Sequence, residues 1–159
     1  LHFTTQHGIS HGFIFVGNLQ SLVDLNDFTK PNTKSNSKTA NVSYQLDLPK
    51  KAFGINGNMN YTIAEISGGN SVFYGPTIGI NQSFLKSKLG LNAAASYQWQ
   101  RTNQVATGNI ISLNLNTSYK ISQRNAANIA LGYLKSNSKD VLTPTFNELR
   151  SNLSLIHTF

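Results

Sequence analysis

The fold is decided by the stretch KTANVSYQLDLPKKAFGINGNMNYTIA, residues 38 to 64. Before its Pro-Lys-Lys, alternate positions are mostly apolar, and they are Ala40, Val42, Tyr44, Leu46 and Leu48. After it the pattern resumes with Phe53, Ile55, Gly57, Met59, Tyr61 and Ile63. The residues between them are polar or glycine. Because successive side chains of a β-strand point to opposite faces, the stretch predicts a hairpin with one apolar and one polar face.

The same alternation recurs along the chain and predicts about eight antiparallel strands in a single domain, residues 1–159. Polar segments at 26–37, 101–109 and 136–145 predict loops, whereas residues near 50, 86 and 124 predict short turns. Pro76 lacks the N–H that a central strand needs, so we expect a bulge or local break there. If residues 1–6 form the tail of a strand, the chain starts partway through a barrel and is the C-terminal part of a larger one. The alternative is a complete barrel of about eight strands.

Composition excludes several classes of protein. The net charge is +7, but only 12% of residues are charged, against about 25% in typical soluble domains. The basic residues fall at two separate ends of the strands, so no continuous face is expected to bind nucleic acid. With no cysteine, the chain has no disulfide and no thiolate metal site. No run approaches the roughly 20 apolar residues of a membrane helix.

Two observations indicate that the apolar face meets lipid rather than a protein core. Solvated surfaces usually carry about 25–35% charged residues, yet the polar faces here are nearly all Asn, Ser, Thr, Gln, Gly and Ala. Aromatic residues also fall at two levels, as the two membrane interfaces select. One level holds Phe13, Phe53, Phe84, Tyr119 and Phe159, and the other Tyr61, Tyr74, Tyr97, Trp99, Tyr133 and Phe146. These features predict an antiparallel transmembrane up-and-down β-barrel, because hydrocarbon cannot satisfy an open sheet edge.

The alternation, the rhythm of turns and loops, and the ending LSLIHTF resemble bacterial outer-membrane β-barrel proteins, and the Asn-rich, acid-poor style resembles barrels from Bacteroidota. The resemblance implies a location in the outer membrane, with the short turns and the C-terminus in the periplasm. It also implies recognition by the barrel-assembly machinery through Leu153, Leu155 and Phe159. His157 stands where the family usually has an apolar residue.

The polar face supplies the candidate site residues. We expect the interior to be lined by Asn41, Ser43, Asp47, Asn56, Asn58, Asn60, Asn114, Asn116, Lys120, Glu148 and Arg150. Glu148 and Arg150 share a face and predict a lumenal ion pair or, alternatively, a constriction that selects ions. Asp47 and Lys120 are candidates to join that pair. The asparagines fit either a water-filled channel or a packed hydrogen-bond network, and barrel size decides between them.

No catalytic residue, metal or cofactor is predicted. His7 and His11 lie four apart on a turn with no acidic neighbour, so no zinc site is expected. Outer-membrane phospholipases and lipid A deacylases resemble this architecture and use a His-x-Ser pair on one strand face. Here His2 is followed by Phe3 and Thr4, and His157 by Thr158 and the chain end. A lipid-modifying enzyme is therefore the third hypothesis, after a non-enzymatic anchor, scaffold or envelope-complex subunit and a channel or porin.

The predicted partners are outer-membrane lipids, including lipopolysaccharide, and other envelope proteins. Bases at the loop level fit lipopolysaccharide phosphates, and they are Lys30, Lys34, Lys38, Arg101, Lys135 and Lys139. Bases at the short-turn level fit anionic phospholipid, and they are Lys50, Lys51, Lys86, Lys88 and Arg124. Solvated loop charge is the alternative for both groups.

The membrane assignment predicts that the purified protein stays dispersed only in detergent or lipid. Removing the detergent exposes the apolar strand faces to water and precipitates the protein, as light scattering would detect. A soluble monomer in detergent-free buffer, seen by analytical ultracentrifugation, contradicts the assignment.

Overall fold

In the computed structural model, the described residues are 1–5, 8–24, 33–66, 69–139 and 144–158. The predictions made for His7, Lys30 and Phe159 lie outside these ranges. Within the described residues, no helix is long and apolar enough to cross a membrane.

The described residues form one antiparallel sheet whose nine strands follow their order in the sequence. They are β1 (His2–Thr4), β2 (Ser10–Asp24), β3 (Thr33–Leu48), β4 (Phe53–Ile66), β5 (Gly69–Phe84), β6 (Leu89–Thr102), β7 (Val105–Lys120), β8 (Asn125–Ser138) and β9 (Phe146–His157). The predicted all-β, antiparallel, up-and-down architecture is confirmed. The short β1 also confirms a strand tail at the start of the chain.

Within the described chain, the sheet has two edges and does not close on itself. β9 pairs with β8, and β1 pairs with the first residues of β2 from Ser10 to Gly12. No pairing joins β9 to β1 or β2 in the described ranges. Each edge therefore presents main-chain groups that a further strand could pair with.

The turn of the opening hairpin is a single 3-10 turn, Pro49–Lys51, which lies at what we call the short-turn end of the sheet. Ala52 adopts a left-handed conformation with φ 48°, and its N–H donates to the Pro49 carbonyl at 3.0 Å. The turns at 85–88 and 121–124 lie at the same end. The opposite end, where β2–β3, β4–β5, β6–β7 and β8–β9 connect, is called the loop end.

Strands run further toward the loop end than the apolar alternation predicts. The predicted loop at 101–109 is wrong, because β6 continues to Thr102 and β7 begins at Val105. Asn103 and Gln104 connect them with φ values of 49° and 66°, the conformation of a tight type I′ hairpin turn. The predicted loop at 26–37 is likewise too long, since β3 begins at Thr33. Main-chain pairing between strands continues where the side chains are polar on both faces. The apolar alternation therefore predicts only the apolar part of each strand and misses its polar end.

The predicted break at Pro76 is confirmed on the side of β6. Tyr74 pairs with Trp99 and Thr77 with Ser96, while Gly75 and Pro76 have no partner in β6. On the other side, Pro76 still lies opposite Met59 of β4. Gly75 is buried against the β6 main chain at this point. The missing proline N–H is thus placed where the ladder of pairs between β5 and β6 is interrupted.

Gly75→Val is predicted to destabilise the protein by about 1–3 kcal/mol, the usual cost of forcing extra atoms into a packed site. A Cβ at Gly75 would collide with the Tyr97 carbonyl oxygen and lie 2.9 Å from the Gln98 Cα. Urea unfolding in detergent micelles, followed through the single tryptophan, measures the loss.

Gly57→Val is the matched control, because a Cβ at Gly57 meets nothing within 4 Å. We expect its unfolding midpoint to equal or exceed that of the unmodified protein, since Val favours strands. Equal midpoints for both variants would show that β5 and β6 do not approach each other closely at Gly75.

Candidate membrane-facing surface and polar face

Cross-strand pairing places the predicted apolar residues on one face of the sheet. From Tyr44 in β3, successive pairs lead to Gly57, Ile78 and Ala95. We call this side the apolar face. Among the described residues no hydrophobic side chain is buried. On β9, Leu149, Leu153 and Leu155 are 77%, 70% and 75% exposed, so the apolar face covers no core.

The total accessible surface agrees with the absence of a core. It amounts to 11697 Å² for a chain of 17.4 kDa. A folded soluble monomer of that mass exposes about 7,900 Å² by the usual scaling of surface with mass. The excess is what an uncovered sheet with two accessible faces produces.

The aromatic belt near the short turns runs obliquely across the strands. Its described members are Phe13, Phe53, Phe84 and Tyr119, all on the apolar face. The line of cross-strand pairs that starts at Phe13 in β2 reaches Leu113 in β7. The belt residue of β7 is Tyr119, six residues nearer the short turns than that line. Six residues over five strands is a slope of about 40°, at about 3.4 Å per residue and about 4.8 Å between strands.

The belt near the loop end has nearly the same slope. The pairs that start at Tyr61 in β4 reach Asn137 in β8, whereas the belt residue of β8 is Tyr133. Four residues over four strands is a slope of about 35°. Strands of outer-membrane barrels tilt by about 35–45°, so one ordinary tilt brings the first and last members of each belt to one level.

The distance between the belts matches a membrane. On β4 they are separated by the eight residues from Phe53 to Tyr61, which is about 27 Å along the strand and about 21 Å along the normal at that tilt. The apolar band of outer-membrane barrels is about 25 Å tall.

One predicted belt residue is wrong: Phe146 lies opposite Ser136 and shares the polar face with Glu148. Phe146 is the first residue of β9, and side chains two residues apart in a strand share a face, so it lies on the same side as Glu148.

Four aromatic rings of the loop-end belt form a contiguous cluster on β4, β5 and β6. Tyr74 stacks on Trp99 with ring centroids 5.4 Å apart, and Tyr61 is 6.2 Å from Tyr74. Tyr97 contacts Trp99 edge-on at 4.7 Å. The Arg101 guanidinium carbon lies 6.0 Å from the centre of the Tyr74 ring, at the outer limit of a cation–π contact.

A second aromatic cluster lies near the short turns. The His11 ring stacks on Phe3 at 4.8 Å, with an interplanar angle of 12°. Its Nδ1 lies 2.7 Å from the Tyr44 hydroxyl oxygen, which is a hydrogen-bond distance. His157 similarly contacts the Asn125 side-chain oxygen through Nδ1 at 2.8 Å. In the described chain, His, Asp and Glu side chains form no group of three that would suit a metal.

The opposite side, the polar face, carries all the predicted interior residues. Asn41 lies opposite Asn60, Asn92 opposite Asn116, and Gly132 opposite Arg150, which carries the face from β3 to β9. Asn41 and Asn58 exchange two amide hydrogen bonds of 3.1 and 3.3 Å. Asn114 donates to the Ser112 hydroxyl at 3.1 Å. The polar face thus combines local hydrogen-bonded groups with asparagines that make no side-chain hydrogen bond to a described residue.

Glu148 and Arg150 form the predicted ion pair. Arg150 Nε lies 2.6 Å from Glu148 Oε1, and Nη2 lies 2.8 Å from Oε2, a bidentate arrangement. The candidates Asp47 and Lys120 do not join it. Asp47 instead accepts a 2.7 Å hydrogen bond from Gln45, and no salt bridge between described residues involves Lys120.

One feature of the polar face was missed from the sequence. At β2 this face is largely apolar: Ile14, Val16 and Leu22 are each more than half exposed, and only Asn18 and Gln20 interrupt them. The sequence signal for this feature is the run Phe13–Val16, in which odd-numbered and even-numbered residues are all apolar, so both faces of the strand are apolar there. The polar face therefore has an apolar stripe along one edge.

Comparisons with known proteins support the fold. No protein-family model matches this chain, and no curated protein matches it. Among solved structures it is similar to the outer-membrane expressed OmpT of Vibrio cholerae, with a TM-score of 0.63 at 11% sequence identity. The match covers 97% of this chain and 52% of that one, so the chain spans about half the length of the solved structure. At this identity the likeness concerns the fold alone.

Leu115 and Asn116 are adjacent on β7 and point to opposite faces, which allows a direct test of which face meets lipid. Leu115→Lys is predicted to reduce the stability of the inserted protein by about 2–4 kcal/mol, the cost of a lysine near the bilayer centre. Asn116→Lys places the same charge on the polar face and should cost little. Urea titration of each variant folded into lipid vesicles measures both values. A larger loss for Asn116→Lys would reverse the assignment of the two faces.

Proposed function

We propose that this chain forms part of the wall of a β-barrel in a bacterial outer membrane, in the style of Bacteroidota barrels. The observation that carries the proposal is the wholly uncovered apolar face, bounded by two level aromatic belts at a membrane's spacing. An apolar face of this extent needs a non-aqueous neighbour, and lipid fits both its height and its aromatic borders.

The barrel is completed by strands beyond the nine described here. An open edge is not tolerated in hydrocarbon, because its main-chain groups find no partner there. The edges at β9 and at β1–β2 both need such partners. The half-length match to a solved outer-membrane protein supports a larger barrel in which this chain supplies the C-terminal portion.

Within that barrel the chain acts as a non-enzymatic anchor, scaffold or subunit of an envelope complex. The apolar stripe of Ile14, Val16 and Leu22 on the polar face supports this role. In a barrel these side chains point into the lumen, where water would surround them unless a protein segment covered them. A covered lumen suits a plugged anchor better than an open pore.

The orientation and partners follow from the family pattern. The short turns, with Lys50, Lys51 and Arg124, lie on the periplasmic side, and the loop end faces outward, toward lipopolysaccharide. Leu153 and Leu155 lie on the apolar face of the last strand, where the barrel-assembly machinery would read them together with Phe159. No nucleic acid is expected among the partners.

A channel or porin is the second candidate. It is favoured by the number of strands, because nine strands that remain open belong to a barrel wide enough to hold water. The polar face would then line the pore, with the Glu148–Arg150 pair as its most strongly charged element.

Planar-bilayer recording separates the two candidates. A plugged anchor is expected to show no conductance above the lipid background, whereas a channel shows discrete, reproducible steps. The full-length protein, inserted at matched concentrations, is the material for this measurement.

Cysteine variants make the result independent of contaminating porins, since the chain has no cysteine of its own. In a channel, a charged water-soluble thiol reagent should change the current through Asn58→Cys. The neighbouring Met59→Cys, on the lipid side, should not respond. Steps that neither variant changes would come from another protein.

A further inference from the structure

The apolar face holds two neighbouring depressions near the loop end. The first, the Arg101 cleft, has a volume of about 660 Å³ and is lined by residues of β4, β5, β6 and the β6–β7 turn. The second, the alanine groove, has a volume of about 600 Å³ and runs across β5 to β9. The loop-end aromatic cluster separates them.

The Arg101 cleft combines a cation with an unused acceptor. Arg101 forms no salt bridge with any described residue, and its guanidinium lies beside the Tyr74 ring. Asn70 Oδ1 is buried and has no hydrogen-bond partner in the described chain. Gln104 adds an amide to the same wall. A ligand that fits here brings a negative group for Arg101 and a hydroxyl or ammonium donor for Asn70.

The alanine groove is apolar and lies nearer the membrane centre. Ala93 and Ala95 of β6 form its floor between the larger Ile78 of β5 and Leu113 of β7. Six residues separate Ala95 from Arg101, about 20 Å along the strand. Lys135, two residues beyond Tyr133 of the groove wall, adds a second base at its loop end. Lys135 likewise has no salt bridge to a described residue.

We propose that this surface binds one phosphorylated glycolipid of the outer leaflet. Its phosphate contacts Arg101, a sugar hydroxyl donates to Asn70, and an acyl chain fills the alanine groove. The charge of Arg101 and Lys135, both on the loop side of an apolar groove of membrane depth, selects an anionic amphiphile over a protein partner. The proposal rests on the proposed outer-membrane location and adds a defined site to the general attraction between bases and lipid.

Trp99, the single tryptophan of the chain, lies between the two depressions and reports on the lipid beside it. The protein is reconstituted into vesicles of brominated phosphatidylcholine, which quenches Trp99. Unbrominated lipid A is then added in steps, with unbrominated phosphatidylcholine as the reference. Recovery of fluorescence yields the binding constant of lipid A relative to phosphatidylcholine.

We expect lipid A to be preferred at least fivefold, and Arg101→Gln to lower that preference about fivefold. Such a change corresponds to about 1 kcal/mol, typical of one basic residue at a membrane surface. Ala95→Leu should also lower it by filling the groove. Arg124→Gln removes a base from the opposite end of the sheet and should leave the preference unchanged. Inorganic phosphate at millimolar concentration should not compete.

No preference in the unmodified protein, or an unchanged preference in Arg101→Gln, overturns the site. An unchanged preference in Ala95→Leu overturns the placement of the acyl chain. If heat-modifiable migration shows a folded, inserted protein but brominated lipid does not quench Trp99, this surface does not face lipid and the proposal is wrong. If the protein does not insert at all, the outer-membrane function fails as well, so the two failures are distinguishable.

Discussion

Every main-chain N–H and C=O that enters hydrocarbon must be bonded within the protein, because no water is there to replace a lost partner. The rest of this structure depends on that constraint. It explains why one hydrogen-bonded sheet with strands of up to 16 residues replaces the two packed layers of a soluble domain. With the proposed location in the outer membrane, it also explains why the sheet needs no core of its own, since lipid would be the solvent of its apolar face. Pro76 shows how local the exceptions are: one missing N–H coincides with two unpaired positions beside β6 and with a glycine at the point of contact.

The tilt of the strands connects the local pairing to the membrane. Residues joined by cross-strand pairs are at different depths, and Phe13 of one belt is linked by such pairs to Tyr133 of the other. Both belts become level at the same inclination of about 35–40°, the usual tilt of outer-membrane strands. Two independent sets of aromatic residues thus agree on one direction for the membrane normal. That agreement orders the outward charges by depth and places Arg101 and Lys135 nearer the outer surface than the alanine groove.

The two faces satisfy their polar groups in different ways. On the polar face, Asn41 and Asn58 exchange two amide hydrogen bonds and the Glu148–Arg150 pair is bidentate, whereas Asn56, Asn60 and Asn116 have no side-chain partner among the described residues and are left to water. On the apolar face, polar atoms concentrate beyond the loop-end belt. There Lys38 and Glu65 are 3.7 Å apart, and Asn36 donates to the same carboxylate. Arg101 and Lys135 differ because neither forms a salt bridge with a described acid.

The alternation of residues 38–64 determined, by itself, that the chain forms strands with one apolar and one polar face, since the period of two leaves no other regular structure. The scarcity of charge on the polar face indicated that the apolar face meets lipid. The Glu148–Arg150 ion pair was predictable because residues two apart in a strand share a face. Other features depended on register, which side-chain period does not specify between strands. Register separated Asp47 and Lys120 from the ion pair and continued β6 and β7 through polar residues to a two-residue turn. The face of Phe146 needed no register, because the period of two along β9 already places it with Glu148 and Arg150. The cleft at Arg101 also emerged only from the folded sheet, because its walls come from β4, β5 and β6, and pairing alone brings Tyr61, Asn70 and Arg101 to one place.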